Sequence, residues 1–469
     1  MNRLEVIDAN SKKMLDSSKE IRKFISSLVD ENSFVETDVF MAGANYIDGV
    51  EALGEGVVTG YAYITGNPVC IIAQNHEVLK GSMSVCHATK IAKTLDRALS
   101  TNAPVISIIN SNGARLGEGI AVLEGYSKII RKVNELKGVV PHVAIVKGAC
   151  VGLMSTYVNA CDYVYLSQKD GFISLSAPQV VIAKSGKPAE ANQVLGEAVA
   201  KNSTAVTFAF KSDKDVCNDI YKLFDLIIPT ESIEQVDDPN RLSPKLNKKV
   251  TKDELLKALL DEGKYVELFA SYATEVVTVI GKVNGITTGV LLTDSTKNDG
   301  FISKDGLEKI NEFIFKLDVA SIPLITLVDS KGVKSTLEDE QKGISILASD
   351  VMTNVALSNI PKIAVVVKDA VGFSYSALCS KSLGFDYTLA FVDSYISPLN
   401  ADTAIELVAT AEIKDAKDPV KAREQLQKAY VEDAGNPYVT AKQGFIDNII
   451  EPAVLRPYVI SILDMLMGY

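Results

Sequence analysis

Residues 104 to 119 read Pro-Val-Ile-Ser-Ile-Ile-Asn-Ser-Asn-Gly-Ala-Arg-Leu-Gly-Glu-Gly. The run Val105 to Ile109 is apolar and β-branched, as a buried strand requires, and it stops at small polar residues before a helical pattern begins. A strand ending in Asn110, Ser111, Asn112, Gly113 and Ala114 presents successive backbone N–H groups beside a helix start, a geometry suited to a developing negative oxygen or a phosphate. Taken alone this is an ordinary strand-to-helix turn, but the chain contains it twice. Residues 323 to 332 read Pro-Leu-Ile-Thr-Leu-Val-Asp-Ser-Lys-Gly, so that Pro104 and Gly113 recur as Pro323 and Gly332, each 219 residues later.

Working outward, the same offset relates Val57-Val58-Thr59 to Val276-Val277-Thr278, Gly66 to Gly285 and Lys90-Ile91 to Lys309-Ile310. Beyond the turn, Pro141 and Gly152 recur as Pro361 and Gly372 at 220, a one-residue insertion. Upstream, the stretch 30 to 36 matches 261 to 267 at 231, the difference falling in loops. A series of this kind means two homologous halves, each with its own strand-turn-helix site. The expected division is 1–235 and 236–469, with a polar linker at 229–252. Within each half, parallel strands alternating with helices predict a layered α/β domain whose ligands bind beyond the strand C-termini. In the first half helices are expected at 1–30, 83–100 and 118–136, and strands at 105–109, 143–147 and 163–167. In the second half helices are expected at 304–317 and 340–358, with strands at 323–328 and 362–367.

The 469 residues, 47% hydrophobic and 23% charged, suit a globular chain with a large core. A net charge of -11 argues against a nucleic-acid partner, which needs a basic surface. No signal peptide or transmembrane run is read, and six scattered cysteines without a Cys-x-x-Cys pair point to reduced core thiols and a cytoplasmic protein. That spacing excludes a zinc ribbon, and three histidines without a His-Glu-x-x-His pattern argue against a metal site. There is no Gly-x-Ser-x-Gly elbow, and His87 and His142 read as structural.

Several segments carry a family resemblance: Gly-Val-Val-Thr-Gly-Tyr at 56–61, Gly81-Ser82, Gly-Ala-Arg-x-x-Glu-Gly at 113–119, Gly-Val-Val-Pro at 138–141, Ile-Pro-Leu-Ile-Thr-Leu-Val-Asp at 322–329, Asn-Pro-Tyr-Val at 436–439 and Gly-Phe-Ile-Asp-Asn-Ile-Ile-Glu-Pro at 444–452. In this order they resemble the carboxyltransferase subunits of biotin-dependent acyl-CoA carboxylases and decarboxylases, in the propionyl-CoA carboxylase and methylmalonyl-CoA decarboxylase branch. The resemblance implies two tandem crotonase-like (ClpP/crotonase) domains, the first on the acyl-CoA side and the second on the biotin side.

It also implies a reaction in which a carboxyl group moves between biotin and the carbon alpha to a thioester, with negative charge developing on two oxygens and two oxyanion holes to receive it. By resemblance, Asn112, Gly113, Gly152 and Leu153 line the acyl-CoA site and Gly332, Gly372, Phe373 and Ser374 the biotin site. Ala114, Arg115, Val151, Tyr375 and Ser376 are expected to border the ligands, Ser376 either selecting the acyl group or capping a helix. There is no Met-Lys-Met biotinylation site and no ATP-binding Gly-rich region, so carboxybiotin is expected on a separate biotin carboxyl carrier protein, with an acyl-CoA thioester as substrate and no metal. A biotin carboxylase or membrane decarboxylase subunits stay open as further partners, as do both reaction directions. A homo-oligomer, dimer or hexamer, is expected.

The chain departs from the family where Ser-Gly-Gly-Ala-Arg becomes Ser111-Asn112-Gly113-Ala114-Arg115, Ala-Gly-Gly becomes Val151-Gly152-Leu153, and Gly-Gly-Ala-Tyr becomes Gly372-Phe373-Ser374-Tyr375. If the lost glycines had left-handed backbone, Leu153 and Phe373 would be strained there. A weakened paralogue serving as an assembly subunit is therefore the alternative to an active enzyme.

Overall fold

The first half is built outward from a β-hairpin that caps an otherwise parallel sheet. A computed structural model describes the chain outside residues 1, 44–45, 48–49, 187, 229–235, 249 and 469. It divides into two units, Met1–Ile228 and Pro229–Tyr469. The expected boundary at 235 and much of the linker's start lie outside the described residues.

In the first unit β1 (Val35–Thr37), β2 (Val57–Ile64), β3 (Asn67–Gln74), β4 (Val105–Ser111), β5 (His142–Val151), β6 (Tyr163–Ser167) and β8 (Phe208–Phe210) lie side by side in that order, and β7 (Phe172–Ser174) joins β5. From β3 onward, where helices intervene, the neighbours are parallel as expected, and β1–β2 and β2–β3 are antiparallel. The reason is local: Thr65 and Gly66 sit at φ 50° and 79°, the twist of a two-residue hairpin turn, and the Asp30 carboxylate accepts from both N–H groups at 2.9 and 2.8 Å.

The second unit repeats this order with β9 (Tyr265–Leu268), β10 (Val276–Val283), β11 (Ile286–Thr293), β12 (Leu324–Ser330), β13 (Lys362–Val371), β14 (Tyr387–Phe391) and β16 (Asn448–Ile450), with β15 (Tyr395–Ser397) on β13. Its hairpin turn, Asn284 and Gly285, has φ 54° and 80° and bonds Asp261 at 3.0 and 2.7 Å. The equivalence of Asp30 and Asp261 read from the sequence is thus a shared structural part.

Strands β5 and β13 run four residues past the expected ends. Each changes partner along its length: Val143 to Val146 pair with β6, whereas Ala149 to Val151 pair with β7, and the register of β4 against β5 shifts between Ile109 and Ser111. β12 and β13 shift equally between Val328 and Ser330. This kink brings the end of each central strand beside the turn after its neighbour.

Helices Val85–Thr101 and Ala121–Leu136 bury Ala88, Ile91, Leu95, Val122, Ile129 and Val133 against the first sheet. Helix Lys304–Val319 buries Leu307, Ile310, Phe313 and Leu317. Each fully buried side chain of this size contributes about 1.5–3 kcal/mol. Two expected helices are broken: 1–30 divides into Arg3–Asp16 and Lys19–Leu28, and 340–358 into Leu337–Gln341 and Ile344–Leu357, with Gly343 left-handed at φ 75° between the latter pair. One buried lysine stands in the same place in each unit. Lys90 Nζ donates to Gly54 O and Val57 O at 3.1 and 2.7 Å, and Lys309 Nζ to Phe269 O and Tyr272 O at 3.0 and 2.8 Å. Burial pushes both ammonium groups down, Lys309 to about 8.

Candidate active site

At the end of β4, Gly113 takes φ 96°, and at the end of β5, Gly152 takes φ 66° and ψ −141°. Gly332 and Gly372 take φ 107° and φ 54° at the matching places. The first turn of each pair lies against the second strand's end: a Cβ on Gly113 would stand 3.2 Å from Val151 O, and one on Gly332 3.3 Å from Val371 O. Both the left-handed backbone and the close approach restrict these positions to glycine.

The N–H groups of these glycines are spent inside the fold. Gly113 N donates to Ser111 Oγ at 3.2 Å and Gly152 N to Ser174 O at 2.9 Å. Gly332 N donates to Ser330 Oγ at 3.2 Å and Gly372 N to Ser397 O at 3.0 Å. Asn112 N donates to Lys80 O at 3.1 Å.

The open amides lie one residue further on. Ala114 forms a bridge with Met83 in which Met83 N meets Gly113 O and Arg115 N meets Met83 O, both at 2.8 Å, so that Ala114 N–H has no acceptor among the described residues. Val333 repeats this beside Ile302, where Ile302 N meets Gly332 O at 2.9 Å and Lys334 N meets Ile302 O at 3.0 Å. Leu153 opens helix Leu153–Asn159 and Phe373 opens helix Phe373–Leu378, and first-turn N–H groups have no acceptor within their helix. Each unit therefore ends its two central strands in a pair of donors, Ala114 with Leu153 and Val333 with Phe373. Sequence reasoning missed Val333 as a donor, although it lies 219 residues after Ala114.

The strain expected at Leu153 and Phe373 is absent, because the left-handed residue is the retained glycine before each and neither side chain is at positive φ. Asn112 is also outside the left-handed set. Its exposed side-chain Oδ1 lies 3.4 Å from His76 Nε2. Partial burial and the nearby Lys80 ammonium press the His76 imidazole down, against the bond to Asn112. Val151 is the last residue of β5.

Ser374 is fully buried and donates to Ser330 Oγ at 2.9 Å, so its side chain braces the turn from behind. Tyr375 OH donates to Phe445 O at 3.3 Å, and burial pushes its phenol up to about 12. Ser376 lies a turn inside the helix capped by Gly372, which removes the N-cap alternative for it. An open groove of about 460 Å³ runs beside Phe373, floored by Ala348, Met352, Thr353, Ala356 and Leu383.

Arg115 turns inward: it is 5% exposed and its Nη1 lies 2.6 Å from the fully buried Glu55 carboxylate. His87 and His142 are structural, as read. His87 Nδ1 lies 2.8 Å from Glu55 O, and His142 Nε2 lies 2.8 Å from Ser107 Oγ. Burial holds both rings down at about 3, so they are neutral at physiological pH. All six cysteines are free thiols, five of them buried. Among the described residues no helix is long and apolar enough to cross a membrane.

Comparison with known proteins places this geometry. Residues 16–468 match the carboxyl transferase domain family. The chain is 30% identical over 466 residues to the methylmalonyl-CoA decarboxylase subunit alpha of Propionigenium modestum, covering 95% of this chain and 90% of that one. It is 31% identical over 461 residues to the methylmalonyl-CoA carboxyltransferase 12S subunit of Propionibacterium freudenreichii subsp. shermanii, covering 95% and 88%. A solved transcarboxylase 12S structure, described as a hexamer and holding methylmalonyl-coenzyme A and methylmalonic acid, superposes with a TM-score of 0.90 at 29% identity, over 99% of this chain and 93% of that one. The two units are accordingly the tandem crotonase-like domains that the internal repeat requires.

Proposed function

This chain belongs to the carboxyl transferase domain family, and from that premise we propose that it moves a carboxyl group between carboxybiotin, presented by a separate carrier protein, and the alpha carbon of a short-chain acyl-CoA of the propionyl and methylmalonyl type. The observation that supports this reading is the repeated pair of open amides. Ala114 and Leu153 receive the thioester oxygen as it gains enolate charge, and Val333 and Phe373 receive the ureido oxygen of biotin. The first unit is thus the acyl-CoA side and the second the biotin side. Carboxybiotin supplies the carboxyl group; when it is transferred, the C–N bond to N1 breaks, the C–C bond forms, and the alpha proton passes to N1. Donors fixed by a folded backbone need no reorganisation as charge develops. The neutral, buried histidines take no part. The groove beside Phe373 suits the apolar body of the biotin ring.

The exposed apolar side chains that follow each turn support assembly with further copies. Leu116 and Ile120 are 87% and 75% exposed after the first turn, and Leu337 and Ile346 are 76% and 65% exposed after the second. Covering both faces with a second copy would bring an acyl turn to a biotin turn and exclude water, so the working form is a homo-oligomer, a dimer or the hexamer described for transcarboxylase 12S. Sedimentation as a 50.5 kDa monomer at micromolar concentration would remove this part of the proposal. Free, buried thiols fit the reducing cytoplasm.

Proline substitution tests the donors directly. Proline is tolerated at a first helical position and removes only the N–H there. Leu153→Pro and Phe373→Pro should each lower single-turnover carboxyl transfer from methylmalonyl-CoA to free biotin about 100- to 1000-fold. Undiminished transfer in both would exclude the amide mechanism.

A further inference from the structure

The resemblance makes Arg115 a residue that borders the ligand, yet its charged end faces away from the open amides and into a buried hub. At the hub's centre is Glu55, fully buried, on a backbone with three successive left-handed residues: Gly54 at φ 56°, Glu55 at 58° and Gly56 at 68°. A non-glycine residue held there costs about 1–2 kcal/mol, so the neighbours must over-determine it. They do so with every polar atom it has. Glu55 Oε1 accepts from Gly43 N at 2.6 Å, and Oε2 accepts from Ser84 Oγ at 2.7 Å and Arg115 Nη1 at 2.6 Å. Its main-chain oxygen meets His87 Nδ1 at 2.8 Å.

Arg115 continues outward from the hub. Its Nη2 donates to Ser82 O at 3.2 Å and its Nε lies 3.4 Å from Ser82 Oγ. Its own N–H donates to Met83 O, and Met83 N–H donates to Gly113 O, each at 2.8 Å. One side chain thus ties together three segments, 53–56, 82–84 and 113–115, and the last of these carries the Ala114 amide. Glu118 sits beside the same guanidinium at 3.7 Å and accepts from Val85 N at 2.8 Å.

The second unit lacks this clamp. Glu275 there keeps the serine contact, accepting from Ser303 Oγ at 2.5 Å and also from Ser303 N at 3.2 Å, but the residue matching Arg115 is Lys334, which pairs at the surface with Asp299 at 2.7 Å. Those two side chains are 52% and 76% exposed.

We propose that Arg115 is a positioning residue of the acyl-side turn: by bridging Glu55 and Ser82 it holds Gly113 and Ala114 where the Ala114 N–H meets the thioester oxygen, and it does not itself contact the substrate. This rests on the carboxyltransferase reading above. A lysine does not reproduce it, because its ammonium is a single point charge on a flexible stem and lacks the planar fork that sets Nη1 on Glu55 and Nη2 on Ser82.

The test uses the full chain with Arg115→Met and Arg115→Lys, the latter keeping the charge so that folding is retained if the former fails. In both, kcat for transfer from methylmalonyl-CoA to free biotin should fall, by about 100-fold in Arg115→Met, as for a misplaced catalytic group. KM for biotin and for the acyl-CoA should stay within twofold in both variants. Hydrogen exchange read by mass spectrometry should accelerate at least about tenfold in the peptide 110–118 and not in 329–337, a local opening that needs no activity to be seen. Unchanged exchange in 110–118 in both variants overturns the proposal. So does a rise in acyl-CoA KM with kcat preserved, which would make Arg115 a substrate ligand. Ala114→Pro separates the two readings: full activity in that variant refutes the amide mechanism, whereas the exchange result in the Arg115 variants still decides whether the clamp exists.

Discussion

The two units keep the same main chain at their turns and differ in the charged and amide side chains around it. Gly113 and Gly332, Gly152 and Gly372, and the hairpin carboxylates Asp30 and Asp261 hold equivalent positions with equivalent partners, and Lys90 and Lys309 hold equivalent positions, each on main-chain oxygens at or before the start of the second strand. Around them the first unit uses a neutral Asn110, whose Oδ1 accepts from Ala149 N at 3.2 Å, and a buried Arg115–Glu55 pair. The second uses Asp329, Asp369 and a surface Lys334–Asp299 pair. What duplication preserved is the placement of backbone donors, as expected if the chemistry is carried by amides and the surroundings are free to adapt to different ligands.

The strongest way to break the likeness is to remove what only the second unit has. Arg456, fully buried in helix Leu455–Met467, reaches Asp261 at 2.7 Å and Leu259 O at 2.6 Å, locking the C-terminal helix onto the hairpin carboxylate. Asp30 in the first unit is partly exposed and serves the same turn from the surface. Arg456→Met leaves Asp261 buried without its counter-charge and should destabilise the second unit by about 3–5 kcal/mol. Hydrogen exchange should therefore rise in peptides of 255–290 and stay constant in 57–110. A uniform rise across both would mean that the units unfold as one.

The buried lysines sharpen the comparison through pH. The Lys309 amine titrates at about 8 in the folded chain against 10.5 in the open one. Its folded value is depressed, so the stability it contributes is fully present above pH 10.5 and is lost as pH falls towards 8. That window corresponds to about 3 kcal/mol. Lys309→Met should abolish this rise in urea midpoint between pH 8 and 10, while leaving Phe269 O and Tyr272 O unpaired and lowering stability overall. If the rise persists in Lys309→Met, another group supplies it.

Next come the glycines themselves. Valine at Gly113, Gly152 or Gly372 must adopt a left-handed backbone, and at Gly113 it also meets Val151 O. At Gly152 a Cβ meets nothing within 4 Å, so only the φ is strained. Each change should lower transfer at least tenfold, a loss of about 1.4 kcal/mol in the transition state. Melting temperature should fall least for Gly152→Val. Melting temperature and single-turnover transfer on the same variants decide the matter: full activity in all three ends the assignment of these turns to catalysis.

Much of this was legible because duplication leaves a constant offset. Gly113 and Gly332 identify each other without any structure, and an apolar run that stops at small residues is a strand end whatever its partners. What the sequence does not encode locally is which amide stays open. That depends on acceptors elsewhere in the chain, Ser111 Oγ for Gly113 and Ser174 O for Gly152, so the sequence names Gly113, Gly152 and Leu153, and Gly332, Gly372 and Phe373, without telling the spent amides from the open ones, and passes over Val333. The inward turn of Arg115 was hidden for the same reason: Glu55 is 60 residues away and its left-handed backbone has no sequence signature beyond flanking glycines. The broken helix at Gly343 is a simpler miss, a lone glycine inside a helical pattern that ends one helix and begins another.

The smallest expected effect concerns the carboxylates that distinguish the second turn. Asp329 and Asp369 lie on neighbouring strands where the register slips, and Asp329 Oδ1 is buried without a partner among the described residues, while Oδ2 accepts from Ser295 Oγ at 2.6 Å. Burial, and then the Asp329 charge, raise the Asp369 carboxyl above the ordinary 3.8, with Lys368 and Lys331 opposing. A folded value above the unfolded one means that stability is complete below pH 3.8 and is lost as pH rises through the raised value. Asp369→Asn keeps the shape and removes the repulsion, so it should match the parent chain at low pH and exceed it at pH 7 by about 0.5–1 kcal/mol, the scale of like charges on adjacent strands. Asn110→Asp is the converse change in the first unit: its carboxylate still accepts from Ala149 N–H and faces Ala149, not a second carboxylate, so its cost should be smaller and should not grow with pH above 7. Urea midpoints for both variants at pH 4 and pH 7 decide the point. If Asp369→Asn is instead destabilised at pH 7, the ionised carboxylate is held by its lysine neighbours, and the two turns differ by an ion pair rather than by a repulsion.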